Sequence, residues 1–495
     1  MTLLHELLDD AAERWPGRPA ITAAGRTLTH LELAAASRRL ARLLHERGVR
    51  RGQRVVVVLP SSVLHPALIY AASRIGAVIS VLHEQTTDRA LEHVLDDCEP
   101  VLVVSDDVSE PARDRGIAVL SSAELIERLS GGAQEAQEVP EREPLAVDPL
   151  FLIYTSGTTS APKAVVSTHQ QVTFAVAAIQ SVLRYQDTDV VYCPLPMSFD
   201  YGMYQLFLGA ASGAHVWLGR PAEVGPSLVT NLVEAGATVL PAVPAVADAL
   251  GRLLARRAAV VPAIRLVTNT GAAMPAEALA RLRAAIPGLR VQLMFGLTEC
   301  KRATIAEPDD DLRRPGTCGR ALPGTEVFTV DGDGRRLAPG EVGEITVRGP
   351  NVMAGYWRQP EMSARRFLRR DELFPELRTG DYGWVDEDGH LFFEGRRDDI
   401  YKERGFRVSA TEVEAAARRV PGVSSAAVLP PEGQRRAVLM VVADTGPDEV
   451  LAAMRAEIEE FKIPGRCLVV ERIALTRNGK VDRKAMTAML EADHG

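Results

Sequence analysis

Cysteine is scarce in this 495-residue chain: Cys98, Cys193, Cys300, Cys318 and Cys467 stand far apart and form no C-x-x-C pair. An odd, scattered set in so long a chain argues against a disulfide framework and fits reduced thiols in a cytoplasmic protein. Basic charge is not in excess either. Lys and Arg number 57 against 65 Asp and Glu, a net charge of −8, and no basic patch stands out. A nucleic-acid or anionic-membrane surface is therefore not expected. No apolar run approaches the roughly 20 residues of a membrane helix. The opening segment, MTLLHELLDDAAERWPG, reads as an acidic amphipathic helix without the basic start of a signal peptide. Finally, there is no Walker loop, G-x-x-x-x-G-K-S/T. The one Gly-Lys pair is Gly479-Lys480, and no glycine stands five before Gly479.

What is present is a long α/β pattern. The length requires at least two domains. Apolar β-branched runs at 54–60, 101–106, 238–243, 264–271 and 291–296 alternate with Ala/Leu/Arg-rich helical stretches such as 65–78. Such alternation predicts parallel sheets covered by helices. The Gly/Gln/Glu/Pro-rich segment 131–148 reads as an exposed connection. From about residue 320, strands separated by Asp-Gly turns predict an antiparallel β-rich piece. A charged turn at 396–399 then leads to a small α+β region with two helices.

The stretch YTSGTTSAPKA, 154–164, gathers Thr155, Ser156, Thr158, Thr159 and Ser160 around Gly157 and ends on Lys163. It follows an apolar strand-like run, FLIY. Gly157 lets an anion approach its backbone N–H, and Lys163 supplies a charge for phosphate oxygens. Taken alone, the same residues also suit a polar surface turn.

Five further stretches accompany it: FGLTE (295–299), GEITVRGPNVMAGYW (343–357), RTGDYG (378–383), GRRDDIYKERGFRVSATEVE (395–414) and RNGKVDRK (477–484). In this order and spacing the six motifs resemble the adenylate-forming superfamily, which comprises acyl-CoA synthetases, nonribosomal-peptide adenylation domains and luciferase. The resemblance covers essentially the whole chain. It implies an α/β fold with a large N-terminal domain, 1–395, of two helix-covered, mostly parallel sheets plus a distorted β-barrel. A hinge at 396–399 and a small mobile α+β domain, 400–495, would follow. It implies an enzyme in which a carboxylate attacks the α-phosphate of ATP and a thiol then takes the acyl group. In-line phosphoryl chemistry needs orientation and charge stabilisation more than an acid–base triad.

The resemblance also implies roles. Thr155, Ser156, Gly157, Thr158, Thr159, Lys163 and Thr298 would contact ATP phosphates, and Glu299 would bind Mg²⁺. Phe295 and Gly296 would lie at the adenine, with Asp381 and Arg396 at the ribose. Lys480 would bridge the acid and AMP, Asp398 would be the hinge, and Lys402 and Gly405 would line the thiol tunnel. Read without the family, Asn-Gly-Lys is a solvated hairpin and 396–404 a charged exposed turn. Ser160 and Ala164 stand where the family has glycines; Ser160 is expected to be extended and harmless.

The acid is addressed by PMSFDYGMYQLFLGAASGAHV, 196–216. In amino-acid-activating relatives the aspartate of a Phe-Asp pair binds the substrate ammonium, which points to Phe199, Asp200 and Tyr204. The other reading makes Asp200 a helix N-cap, and acyl-activating relatives also carry Ser-Phe-Asp-Tyr-Gly. An amino acid is favoured. Lys301 and Arg302 follow Glu299 with Cys300 between, and Thr270-Gly271 fall on a loop that lines the acid pocket in relatives. The combination resembles stand-alone adenylation enzymes for β-amino acids and 3-methylaspartate, where Arg302 would fork a second carboxylate; pairing of Lys301 and Arg302 with surface acids is the alternative. His169 is expected to be packed or hydrogen-bonded, and Cys193 and Cys300 to be packing residues.

No carrier domain follows Gly495, so the thiol is expected from a discrete carrier protein or coenzyme A, with phosphopantetheine as the acceptor. ATP and Mg²⁺ are the expected cofactors, a small amino acid the substrate, and a monomer or homodimer the assembly. An acyl-CoA synthetase for a short or medium non-amino acid is the competing reading.

Overall fold

Valine, isoleucine and leucine runs without polar alternation mark strands covered on both faces. The computed structural model bears this out. It describes residues 3–107, 110–129, 143–155, 162–256, 261–369, 374–396, 400–403, 406–432, 435–458, 460–476 and 481–492. The Phe-Leu-Ile-Tyr run lies in the strand Pro149–Thr155. The acid-pocket segment contains the helix Asp200–Ser212. The chain divides into two compact units. One comprises Met1–Pro315, Gly319–Val327 and Val347–Arg378; the other comprises Gly316–Cys318, Phe328–Thr346 and Thr379–Gly495.

The first unit holds two sheets. In one, Ala118–Leu120, Leu102–Ser105, Arg54–Val58, Val78–Leu82 and Pro149–Thr155 run parallel, side by side. The next strand, Lys163–Thr168, reverses direction and pairs antiparallel with Pro149–Thr155, Thr155 facing Lys163. The strands on either side of the hydroxyl-rich stretch are thus antiparallel neighbours, whereas a Walker site runs from a strand into a helix. The last strand, Gly355–Tyr356, pairs antiparallel with Lys163–Thr168. In the other sheet Pro19–Ala23, His215–Leu218, Val190–Cys193, Val239–Ala242, Leu266–Asn269 and Arg290–Phe295 are successive parallel neighbours. Val239–Ala242 and Leu266–Asn269 are buried at every residue.

The helix Asp200–Ser212 is buried on all sides except at Ala211. This is the signature of an apolar helix enclosed between layers. Its Phe207 ring stacks on Phe151 at 5.9 Å and meets Tyr204 edge-on at 5.3 Å. His169 is buried and neutral: burial lowers its pKa to about 4, and its Nδ1 accepts the Leu4 N–H.

In the second unit, Val423–Leu429 and Val438–Ala443 form an antiparallel pair joined by the parallel strand Arg466–Val469. Alternate side chains serve opposite faces. Ala426, Val428, Leu439 and Val441 pack with Val413 and Ala417 of the helix Ala410–Arg419, whereas Ala427, Leu429, Val438 and Met440 pack with Met486 and Leu490 of the helix Arg483–Ala492. The sequence led to two helices in the C-terminal region; a third, Pro447–Ala453, lies between these two in the chain. The Asp-Gly turns predicted from about residue 320 do lie between strands: His390–Arg396 returns antiparallel along Pro375–Val385, with Asp381 opposite Arg396.

Candidate active site

Strand Arg290–Phe295 delivers a tight loop. A Cβ on Gly296 would lie 1.9 Å from the Lys301 carbonyl oxygen, so only glycine fits. The loop closes through the Cys300 and Lys301 N–H groups, which donate to the Leu297 carbonyl at 2.9 and 2.7 Å. The closure leaves Lys301 at φ 62, a left-handed conformation that costs a side-chain-bearing residue about 1 kcal/mol. The Asn351 amide then braces the loop, donating to the Cys300 and Arg302 carbonyls at 3.1 Å each. The Met353 N–H donates to the Glu299 carbonyl at 2.8 Å.

Two charged clusters result. In the first, the Lys163 ammonium donates to the Tyr356 hydroxyl at 2.7 Å, and that hydroxyl donates to Glu299 Oε1 at 2.7 Å. Lys163 Nζ stands 3.5 Å from Glu299 Oε1 and 3.9 Å from the Tyr356 ring centroid. Burial pushes the Glu299 carboxyl up, but the Tyr356 hydrogen bond and the Lys163 and Arg366 charges outweigh it, and the group is held below its ordinary range. Burial and the adjacent Glu299 push the Tyr356 phenol far up, so it remains a donor.

In the second cluster, Lys301 Nζ lies 3.9 Å from Asp200 Oδ2. Arg302 lies over the Tyr201 ring at 4.7 Å and the Tyr204 ring at 5.7 Å. Lys301 and Arg302 are only 1% and 2% exposed, so their carboxylate partners are not surface acids. Burial lowers the Lys301 pKa, although Asp200 and Glu299 oppose it. Among the described residues, Tyr204 Oη, Thr270 Oγ1, Lys301 Nζ and Arg302 Nε are buried with no hydrogen-bond partner. Each such group costs about 1–3 kcal/mol unless a ligand meets it. Asp200 is the first helical residue, not the N-cap; that position falls to Phe199, which makes no side-chain cap. Gly271, at φ 91, brings its backbone to the Phe199 ring.

The remaining expected residues divide as follows. Phe295 is buried, Thr298 half-buried, and Thr155 Oγ1 donates to the Lys163 carbonyl at 3.5 Å. Asp381 is buried in the second unit, opposite Arg396 in register, and Lys402 pairs with Arg407 on a two-stranded ladder. Ala164 is buried, faces Tyr154 across the hairpin, and accepts the Trp357 N–H at 2.9 Å. Ser156, Gly157, Thr158, Thr159, Ser160, Asp398, Gly405 and Lys480 lie outside the described residues. Sequence motifs gave no role to Tyr356 or Asn351; the Gly-Tyr pair closing the 343–357 stretch was the available signal.

Residues 8–357 match the AMP-binding enzyme family and 412–480 the AMP-binding enzyme C-terminal domain. The chain belongs to this family and is an AMP-forming ligase that activates an acid as its adenylate. It is 29% identical over 511 residues to delta-poly-L-ornithine synthetase of Acinetobacter baumannii, covering 98% of this chain and 36% of the relative. The chain thus spans about a third of that relative's length. The crystal structure of VinN matches at 40% identity and TM-score 0.74, covering 80% of this chain and 99% of VinN; a second VinN structure, at 38% identity and TM-score 0.73, is a complex with L-aspartate and covers 80% and 98%. ATP-bound MatB from Rhodopseudomonas palustris matches at 27% identity and TM-score 0.86 over the full length of both chains. Structures of this kind support the use of ATP. No described helix is long and apolar enough to cross a membrane.

Proposed function

We propose that the chain activates an amino acid bearing a second carboxylate and passes it to the phosphopantetheine thiol of a separate carrier protein. The observation that carries this reading is the buried charge set: Asp200 is formally −1 and Lys301 and Arg302 together +2, with Lys301 Nζ and Arg302 Nε lacking hydrogen-bond partners among the described residues. A plain acyl chain would leave one of the two cations uncompensated, because Asp200 supplies a single buried anion. A substrate ammonium at Asp200 and a carboxylate between Lys301 and Arg302 would give each of these groups a neighbour of opposite sign. The L-aspartate complex of VinN supports the same class.

In this reading Lys163 and the hairpin hydroxyls hold the ATP phosphates, Phe295 and Gly296 border the adenine, and Asp381 and Arg396 hold the ribose. The substrate carboxylate attacks the α-phosphorus and pyrophosphate leaves, with Thr298 at the phosphate and Lys480 bridging acid and AMP. Glu299 fits a metal ligand, being buried, held ionised and hydrogen-bonded through one oxygen, since Mg²⁺ takes one or two carboxylates beside substrate phosphates. Mg²⁺, when bound, would offset charge on the pyrophosphate. The thiol then attacks the acyl-adenylate and AMP leaves. We assign the catalytic division to 1–395 and 400–495 about a hinge at 396–399, with Asp398 as pivot and Lys402 and Gly405 on the thiol side.

A pyrophosphate-exchange screen over α-amino, β-amino, amino-dicarboxylic and plain acids tests the substrate. Exchange restricted to plain acids would refute the amino-acid reading. Loading assays with candidate carrier proteins and coenzyme A test the acceptor, and a thioester formed only with coenzyme A would overturn the carrier protein.

A further inference from the structure

We propose that Tyr356 is a positioning residue for Mg·ATP: its hydroxyl bridges Lys163 and Glu299 yet holds them apart, and gives up Lys163 to phosphate when Mg·ATP binds. The inference rests on the phosphate and metal roles given above to Lys163 and Glu299.

The tyrosine is fixed before its hydroxyl does anything. Its backbone pairs opposite Val165, two residues beyond Lys163. Its N–H donates to Ser363 Oγ at 2.9 Å, and its ring meets Phe367 edge-on at 5.4 Å. The next residue, Trp357, donates its N–H to the Ala164 carbonyl. The hydroxyl is therefore placed by strand pairing and ring packing, and Lys163 and Glu299 come to it. Arg366 also hydrogen-bonds this hydroxyl.

The arrangement solves a specific difficulty. A buried ammonium and carboxylate left to themselves close into a tight pair, which must then be broken before phosphate and metal can take the two groups. With the hydroxyl between them, each keeps a strong hydrogen bond while the nitrogen and oxygen stay 3.5 Å apart. Loss of the hydroxyl lets the pair collapse and removes the donor that aims Glu299. The ring contacts stay in Tyr356→Phe, which isolates the hydroxyl.

Calorimetric titration of Mg·ATP into wild-type protein and Y356F reads the effect directly. The dissociation constant is expected to rise about tenfold, the worth of a hydrogen bond to a charged group. The KM for the acid is expected to stay unchanged. An unchanged Mg·ATP affinity overturns the proposal, as does an equal loss for nucleotide and acid. Lys163→Ala and Glu299→Gln serve as controls: if neither weakens Mg·ATP binding, the roles given to those two residues fail; if both do and Y356F does not, only this inference fails. A structure of the wild-type protein with a non-hydrolysable Mg·ATP analogue gives a second reading that needs no variant. It is expected to show the Lys163–Tyr356 bond opened, and an intact bond beside the seated nucleotide overturns the proposal.

Discussion

The Lys301 ammonium stands 3.9 Å from the Asp200 carboxylate, with both side chains buried. One end of the pair is fixed at the start of a buried helix, the other by a left-handed residue in a braced loop. Asp200→Asn removes the anion and leaves two buried cations. Truncating one partner of such a pair costs about 2–5 kcal/mol, so kcat/KM for pyrophosphate exchange with the preferred amino acid is expected to fall about 100-fold. An unchanged rate would remove Asp200 from the ammonium role.

Arg302→Met keeps most of the volume and the contact with the Tyr201 and Tyr204 rings while deleting the fork. Discrimination between an amino-dicarboxylate and its monocarboxylic analogue is expected to drop by about tenfold or more, the worth of one charged hydrogen bond. The ratio of kcat/KM for the two acids measures it. A constant ratio would place the second carboxylate elsewhere or abolish the need for one.

Asn351→Ala deletes both donors that brace the 300–302 backbone. A stability loss of about 2 kcal/mol is expected from the two buried carbonyls left unmet. Because Met353 in the same segment holds the Glu299 carbonyl, exchange is expected to slow for every acid, not for one class. Urea melts with exchange assays on two unlike acids check both parts.

Glu414 supplies a pH dependence in the second unit. Burial raises its carboxyl from 4.5 to about 7, despite the Val428 N–H that it accepts at 2.9 Å. The native state therefore holds a proton that the unfolded chain releases. Its contribution is complete below pH 4.5 and is lost as pH rises through about 7. The shift corresponds to about 3 kcal/mol. Hydrogen exchange in Ala410–Arg419 and Val423–Leu429, corrected for intrinsic rate, is expected to show protection falling between pH 5 and 8 in the wild-type protein. Glu414→Gln keeps the acceptor and is expected to abolish that fall.

The fold was legible where chemistry is local. Val55–Val57 and Leu102–Val104 announce buried strands, and Asp386 to Gly389 announce a turn. The reversal at Lys163–Thr168 was not legible, because a run such as Ala-Val-Val-Ser-Thr states that it is a strand and not which way its neighbour runs. The site was legible as far as motifs reached: Lys163 and Glu299, 136 positions apart, do meet. The interiors of Lys301 and Arg302 were not. Adjacent charged residues suit a solvated turn equally well, and only the closure over Gly296 turns them inward. Tyr356 and Asn351 escaped for a related reason: each acts through a partner distant in sequence.

Thr155 and Lys163 are partners in register, and Val165, two residues on, pairs in turn with Tyr356. The Lys163 ammonium is therefore carried by the sheet itself: a shift of one strand against its neighbour would change the reach to Glu299 before any loop residue was touched.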